Sequence, residues 1–367
     1  MEFEFTPDQQ ELDERVTAWR ETHEEEIRER SARSEFPRDL YEEGMERGFG
    51  SVILPEAYGG PGGGAVEYGI VAQQTGIFQI CFQTQRTILA TGTDEQKARY
   101  LPEFREGAAV GAISISEPDT GSSLKSMETS AERRGDEWVI DGVKSHVNLA
   151  AEATVHVVYT MADEGLTVFL VDDETPGIEV SEKRDPIGTR YLPIYDVAFD
   201  DVVVDDDQML LGPGDGYEVF FETFNFSRIG NASEMIGHGK RSLRQAVRWA
   251  RDREVGDDVV TDFQGIRWKV ADLHTDLRAA ELLRDEAAAA LDAGDDDAPR
   301  KTSMAKLAAA DAALAATTEA MQITGAHGLY RDQPYEANFR DVKTLEVAGG
   351  SREIMRNVIA DSVIPEF

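Results

Sequence analysis

The pattern of hydrophobic and polar positions divides the chain into three parts, of which the first, 1–109, has a helical period. Apolar residues such as Val16 and Trp19 recur three to four positions apart, while charged residues occupy the remaining faces. Thr6 and Thr93 are each followed three residues later by a glutamine, which predicts a capping box at the start of a helix. The first part is therefore predicted to be a helical domain.

The second part, 110–212, has the period of two that is typical of β-strands. Short segments rich in Val, Ile and Phe are separated by Asp, Gly or Pro, at 131–145, 154–161, 166–172, 177–182 and 194–204. Within the first segment, Asp141-Gly142 predicts a hairpin turn. The middle of the chain is therefore expected to form a small β-barrel or sandwich domain.

The third part, 213–367, returns to the helical period in longer segments. These segments are 220–254, 263–291 and 299–323. Their alanine runs allow helices to approach closely, as in a four-helix bundle. Helices, strands and helices in succession predict a mostly helical α+β fold with domains at 1–109, 110–212 and 213–367.

The net charge makes some classes of binding partner unfavourable. With 71 acidic and 37 basic residues, the charge is −34, so the surface is expected to repel nucleic acid and anionic membranes. The acidic residues are spread along the chain, which favours adaptation to a salt-rich cytoplasm, as in halophiles, over an ordinary acidic mesophilic protein. The lone Cys81, the absence of a basic and apolar leader at 1–5 and the lack of a membrane-length apolar run predict a cytoplasmic protein.

Several motifs follow one another in a fixed order. They are PEAYGG at 55–60, GTDEQK at 92–97, SEPDTGS at 116–122, QITGAHG at 322–328, and Arg340-Asp341 followed by Gly350-Ser351. In order and spacing they resemble the signatures of the acyl-CoA dehydrogenases, flavoenzymes that desaturate acyl thioesters. The resemblance covers nearly the whole chain and implies an N-terminal helical domain, a middle β domain and a C-terminal four-helix bundle.

The resemblance implies FAD as the cofactor. Ile115 and Ser116 are expected to contact the flavin ring, and His146 and Asn148 occupy the positions of the family's Trp-x-Thr pattern. Histidine can stack on a flavin and asparagine can replace threonine as a donor. The other expected FAD contacts are Arg253, which would reach the cofactor of a neighbouring subunit, and Gln264, Gln322, Gly325, Ala326, Ser351 and Glu353.

The resemblance also implies a substrate site, but without the usual catalytic base. Ser122, Asn225, Arg228, Gly349 and Gly350 match the positions that meet the acyl-CoA. The family takes its carboxylate base from one of two places, the residue before Gly-Thr/Ser or the residue before the helix arginine. These places hold Gly349 and Ser227 here, so Glu346, roughly one helical turn before Gly349, is the first replacement candidate.

Four functions remain open at this stage. The first is an FAD-dependent oxidoreductase that desaturates an acyl-CoA, passes electrons to an electron-transfer flavoprotein and assembles as a dimer or tetramer. The second is the non-catalytic partner in a hetero-oligomer, and the third is a flavoenzyme of the same fold with other chemistry. The fourth is a structural or binding protein without flavin. The six histidines show no metal-ligand spacing, so no metal site is predicted.

Overall fold

The computed structural model describes residues 5–366. The prediction that the chain begins without a signal peptide concerns residues 1–5, and the first four of these lie outside the described residues. The helices of the N-terminal part are α1 (Pro7–Thr22), α2 (Glu24–Arg33), α3 (Arg38–Glu46), α4 (Ala65–Gln74), α5 (Gln79–Thr91) and α6 (Asp94–Arg105). The capping boxes predicted at Thr6 and Thr93 are confirmed at the starts of α1 and α6.

The middle part forms a mainly antiparallel sheet. Its strands are β1 (Gly111–Ser114), β2 (Ser130–Arg134), β3 (Glu137–Asn148), β4 (Val155–Ala162), β5 (Gly165–Asp172), β6 (Ile178–Val180), β7 (Ile194–Asp205) and β8 (Met209–Leu210). In the described chain the order is β6-β7-β3-β2-β4-β5-β8, and β1 pairs in parallel with β4. A compact apolar cluster that includes Trp138 and Phe169 packs on this sheet.

The prediction of a hairpin turn at Asp141-Gly142 is wrong. The chain turns at Gly135-Asp136, between β2 and β3, where Gly135 has a φ of 74°. Gly142 instead lies within β3, at a register shift in the pairing with β7, and a Cβ atom there would lie 2.5 Å from the Thr129 hydroxyl oxygen. Gly142 therefore permits a β-bulge in which the backbone closely approaches Thr129. The local sequence does not distinguish a glycine in such a bulge from a glycine in a turn.

The C-terminal part is helical apart from one short hairpin. Its elements are α7 (Gly216–Asp252), β9 (Glu254–Val255), β10 (Asp258–Val259), α8 (Gln264–Asp292), α9 (Ala298–Thr324), α10 (Pro334–Val347) and α11 (Arg352–Val363). Helix α9 packs against α7, α8, α10 and α11, and most of its alanines are buried, as their small size predicted. The predicted three-part, mostly helical fold is confirmed. No helix among residues 5–366 is long and apolar enough to cross a membrane.

Candidate functional site

The short turn between α10 and α11 brings together the two positions where the resemblance led us to expect a base. Gly349 and Gly350 have φ values of 65° and 98°, in the region that favours glycine. A Cβ atom on Gly349 would lie 2.5 Å from the amide nitrogen of Asn231 and 3.6 Å from the hydroxyl oxygen of Ser227. Ser227 and Asn231 are one helical turn apart on α7. The two vacant base positions are therefore neighbours in space, and an amide and a hydroxyl occupy the region.

A buried lysine holds this turn in place. Lys306 on α9 is only 1% exposed, and its Nζ donates hydrogen bonds to the carbonyl oxygens of Ala348 and Gly350, on either side of Gly349. Burial, and secondarily the charge of Arg228, lowers the pKa of Lys306 to about 7, although Glu346 opposes this shift. The turn thus depends on a side chain that sequence analysis did not identify.

Arg228 is a second buried cation beneath the turn. It is 5% exposed, and its Nη1 donates to Asn225 Oδ1 at 2.8 Å and to Ser303 Oγ at 3.2 Å. Its Nε is buried without a hydrogen-bond partner, and burial lowers the pKa of Arg228 to about 10. Within residues 5–366, no carboxylate lies close enough to form an ion pair with either Arg228 or Lys306.

Glu346 does not point towards Gly349. Glu346 and Gly349 would share a helical face only if the backbone between them were helical, and it is not, because α10 ends at Val347 and Ala348 is extended. The carboxylate of Glu346 is mostly buried and lies 3.0 Å from Lys343 Nζ and 3.2 Å from Arg352 Nη1. Burial raises the pKa of Glu346, but the bonds to these two cations outweigh burial and leave the pKa below its usual value. A carboxylate in this setting is a weak base.

A buried polar network extends from Asn231 into the N-terminal domain. Gln79 donates to Glu234 Oε2 at 2.8 Å and approaches Asn231 Oδ1 at 3.5 Å, and the Tyr68 hydroxyl donates to Gln79 Oε1 at 2.6 Å. Tyr191 also donates to Glu234. Burial raises the pKa of Glu234, but bonds from His238, Tyr191 and Gln79 outweigh it, and the pKa is lowered. Sequence analysis did not find this network because its members lie on different helices and a loop.

Four of the expected flavin contacts lie together at one edge of the β domain. The amide of Ser145 donates to the carbonyl of Ser116 at 2.7 Å, so His146 lies beside the turn that follows β1. His146 is exposed, has a φ of 60° and stands at a register shift in β3. Such bulges redirect a side chain out of the strand alternation. Ile115 is also here, and the Asn148 amide donates to the Leu192 carbonyl at 3.0 Å.

This edge fits an isoalloxazine ring. It offers an outward-turned aromatic side chain at His146 and a hydroxyl at Ser116, which are the stacking surface and polar donor that a flavin requires. The amide of Asn148 is already used within the protein, where it holds the loop of Leu192.

A buried ion pair, which sequence analysis missed, fixes the loop that carries Ser116. Lys144 Nζ lies 2.9 Å from Glu117 Oε1, and it also donates to the Ile115 carbonyl at 3.2 Å. Glu117 accepts from the backbone amides of Glu128 and Thr129. Burial lowers the pKa of Lys144 to about 8. The pair joins both ends of the loop that contains the exposed Ser122.

A second group of expected FAD contacts lies at the far end of α7. Arg253 lies roughly 37 Å from Arg228 along the helix at ~1.5 Å per residue. Its guanidinium is 5.9 Å from the ring of Trp249, which stacks on His327 at 5.6 Å. The members of this group are exposed, namely Arg253, Gln264, Gln322, Gly325 and Ala326. The structure therefore brings them to one surface, separate from the turn.

The last two expected FAD contacts follow the turn directly. Ser351 is the N-cap residue of α11, and Glu353 is exposed in the first turn of that helix. A hydrogen bond from its own backbone and one from Ser351 lower the pKa of Glu353. An acidic residue is favourable at a helix N-terminus, so the position of Glu353 also has a purely local explanation.

Comparison with protein-family models gives three matches, in the order of the domains. Residues 6–108 match the model described as acyl-CoA dehydrogenase, N-terminal domain, residues 112–202 match the middle domain, and residues 214–364 match the C-terminal domain. Together these matches span nearly all of the chain.

Individual relatives agree with this assignment. The chain is 32% identical over 346 residues to the mitochondrial short-chain specific acyl-CoA dehydrogenase of Bos taurus, covering 90% of this chain and 84% of the relative. It is 29% identical to 3-(aryl)acrylate reductase of Clostridium sporogenes, covering 90% and 91%. The solved structure of butyryl-CoA dehydrogenase from Megasphaera elsdenii superposes with a TM-score of 0.95 at 26% identity, covering 99% of this chain and 100% of that chain.

Proposed function

Because the chain belongs to the acyl-CoA dehydrogenase family, whose members are FAD-binding oxidoreductases acting on CH–CH groups, we propose that it oxidises the Cα–Cβ bond of a CoA thioester. The observation that carries this proposal is the meeting of α7 with the turn between α10 and α11, where Ser227 approaches Gly349 and Arg228 lies beside Lys306, which holds the turn. Bound FAD would supply the hydride acceptor.

The residues of this chain would bind and orient the reactants. The edge formed by Ile115, Ser116 and His146 would hold the flavin ring, and Ser351 and Glu353 would contact the cofactor beyond the turn. Asn225, Arg228, Gly349 and Gly350 would surround the acyl thioester, and Ser122 would lie near its CoA portion. Lys306 would fix the carbonyl groups of the turn, and burial of the site would exclude water from the reacting carbons.

A second candidate is a flavin-binding chain that does not remove the α-proton itself. It is favoured by one observation: the expected base positions hold Gly349 and Ser227, the Asn231 amide fills the space beside Gly349, and Glu346 is held by two cations. Such a chain would be the non-catalytic partner in a hetero-oligomer or would perform other flavin chemistry.

Anaerobic mixing with acyl-CoAs distinguishes these candidates. The purified FAD-loaded protein is mixed with a panel of acyl-CoAs, and the visible absorbance of the flavin is followed. Bleaching by at least one thioester is the result expected of an oxidoreductase acting on CH–CH groups. A yellow protein that no thioester bleaches would support the second candidate, and a protein that takes up no FAD would exclude both.

We further propose that electrons pass to an electron-transfer flavoprotein and that the chain assembles as a dimer or tetramer in a salt-rich cytoplasm. Oligomerisation is supported by apolar surface at the start of α8, where Trp268 is 61% and Phe263 is 44% exposed. This surface adjoins the exposed group that includes Arg253 and Gln264. Light scattering after gel filtration should give a mass of two or four chains, and Trp268→Glu should lower it.

A further inference from the structure

The Arg340-Asp341 pair on α10 holds the loop between β6 and β7 by two hydrogen bonds. Arg340 Nη1 donates to the carbonyl oxygen of Ile187, and Asp341 Oδ1 accepts from the backbone amide of Thr189 at 2.6 Å. Between these bonds the loop lies directly on α10, because a Cβ atom on Gly188 would overlap the carbonyl oxygen of Arg340. The pair therefore joins the C-terminal helices to the middle domain.

The β6–β7 loop has a strained backbone at the point where Asp341 holds it. Thr189 has a φ of 49°, a left-handed conformation that is unfavourable for a β-branched residue. Such a conformation persists only where the surrounding structure fixes it. Thr189 is buried, and its amide donates to the Asp341 carboxylate. This bond therefore stabilises a conformation that the loop would not readily keep by itself.

The end of the same loop supports the part of β3 that carries His146. The carbonyl of Leu192 accepts from Asn148 Nδ2 at 3.0 Å, and the carbonyl of Pro193 accepts from the amide of Leu149 at 2.8 Å. Beyond the register shift at His146, two residue pairs of the described strands join β3 to β7. Because this ladder is short, the position of His146 depends on the conformation of the β6–β7 loop.

Helix α10 relates this edge of the β domain to the turn that contains Gly349. The helix carries Asp341 and ends at Val347, directly before the turn. A second contact acts in the same direction, because the hydroxyl of Tyr191 in the loop donates to Glu234 of α7. The edge that is expected to hold the flavin and the turn that is expected to meet the thioester are therefore connected through the C-terminal helices.

We propose that Arg340 and Asp341 are positioning residues for the flavin ring. They hold the β6–β7 loop in the conformation that places His146 and Asn148 at the flavin edge, and they set this edge relative to the turn between α10 and α11. Neither residue contacts the ring in this arrangement, because both act through the loop. The inference rests on the proposed function, of which it uses the binding of FAD alone.

Three substitutions separate this role from general stabilisation. Asp341→Ala removes the acceptor of the Thr189 amide. Asp341→Asn keeps an oxygen that can accept from this amide and removes only the charge, which burial already disfavours by raising the pKa of Asp341. Asp292→Ala is the matched control, because Asp292 also accepts from backbone amides, those of Ala65 and Val66 at the start of α4.

The test measures both the bound flavin and the backbone that surrounds it. Each variant is freed of FAD and titrated with it, and the visible circular dichroism of the bound flavin is recorded at saturating FAD. Hydrogen exchange of the FAD-free protein shows independently which backbone segments open more often.

We expect Asp341→Ala to weaken FAD binding by about tenfold or more and to change the dichroism of the bound flavin. Exchange should become faster at 146–149 and 187–193. Asp341→Asn should stay within about threefold of the wild type in FAD affinity, because the bond to the Thr189 amide remains. Asp292→Ala should speed exchange at the start of α4 and leave the flavin unchanged.

Two results would overturn the inference while leaving the proposed function intact. One is an Asp341→Ala variant whose bound flavin differs from the wild type no more than that of Asp292→Ala. The other is equal impairment of Asp341→Asn and Asp341→Ala, because the charge rather than the bond to the loop would then be responsible. If the wild-type protein takes up no FAD, the proposed function fails and the inference falls with it.

A further variant decides the question if Asp341→Ala does not fold, as far-ultraviolet circular dichroism would reveal. Arg340→Gln removes the bond to the Ile187 carbonyl, which is the other half of the contact with the loop. It should weaken FAD binding and speed exchange in the same two segments. Unchanged FAD affinity and unchanged exchange in this variant would contradict the positioning role.

Discussion

The amide nitrogen of Asn231 lies 2.5 Å from the position that a Cβ atom on Gly349 would occupy, and it donates to the carbonyl of Ala348 at 3.4 Å. The two residues are therefore coupled: a side chain at 349 requires the amide to move and to give up this bond. The absence of a side chain at position 349 therefore goes together with the position of Asn231 on α7.

Restoring a glutamate at 349 should succeed only if Asn231 is made smaller. Gly349→Glu alone is expected to lower the free energy of unfolding by about 1–2 kcal/mol, because of the amide and the positive φ. Asn231→Ala/Gly349→Glu should recover part of this loss and increase the rate of flavin bleaching by acyl-CoA. Urea unfolding and anaerobic mixing measure both effects, with Asn231→Ala as the control. Unimpaired stability of the single variant would show that the turn accommodates the side chain.

Glu346 is expected to support structure rather than to remove a proton. Glu346→Gln should weaken the bonds to Lys343 and Arg352 and lower stability by about 1 kcal/mol, while flavin reduction stays within about twofold of the wild type. A loss of reduction by a factor of a hundred or more at unchanged flavin content would instead identify Glu346 as the base.

The contribution of Glu346 should also depend on pH. Its pKa is lower in the folded protein than in the unfolded chain, so the carboxylate stabilises the fold above pH ~4.3, the unfolded value. As the pH falls through the lowered folded value, this stabilisation is lost. The difference in urea midpoint between the wild type and Glu346→Gln should shrink over that acidic range.

Lys306 should make the free energy of unfolding depend on pH in the neutral to alkaline range. Its pKa is about 7 in the folded protein and about 10.4 in the unfolded chain, so the unfolded state binds more protons between these values. Stability contributed by this residue therefore rises with pH across that interval. Lys306→Met should lack this rise, which urea unfolding at pH 7 and pH 9 would detect. An identical rise in the variant would contradict a buried, partly neutral lysine.

Removal of the lysine from the buried Lys144–Glu117 pair should disturb the flavin edge. Lys144→Met leaves the Glu117 charge buried without its cation, which should cost about 3–5 kcal/mol and weaken FAD retention. Lys125→Met, in an exposed position of the same loop, is the matched control and should change neither property. Comparable losses in both variants would show that the ion pair has no special importance.

Salt should stabilise the protein if its acidity reflects a salt-rich cytoplasm. Counterions screen repulsion among the surface carboxylates of a chain with a net charge of −34, so the melting temperature should rise between 0.1 M and 2 M KCl. Sodium sulfate and KCl at equal ionic strength should be compared, because sulfate also strengthens apolar burial. A flat or falling response to KCl would favour an ordinary acidic mesophilic protein.

The sequence by itself determined the order and type of the three parts and the helix starts at Thr6 and Thr93, because periodicity and capping are local properties of the chain. It also gave the motifs that resemble the acyl-CoA dehydrogenases. It misplaced the turn at Asp141-Gly142, since an Asp-Gly pair suits a hairpin and a glycine suits a bulge equally well.

Only the tertiary structure decided what surrounds the vacant base positions. Gly349 meets Ser227 and Asn231 of α7, and Lys306 of α9 supports the turn. Arg228 of α7 bonds to Ser303 of α9 and has no ion-pair partner among the described residues. Each of these contacts joins different parts of the chain. Burial and missing partners are properties of packed side chains, and no local pattern encodes them. The sequence therefore identified the positions that lack a base. The fold revealed that the neutral side chains of Ser227 and Asn231 and the buried cations Arg228 and Lys306 surround them.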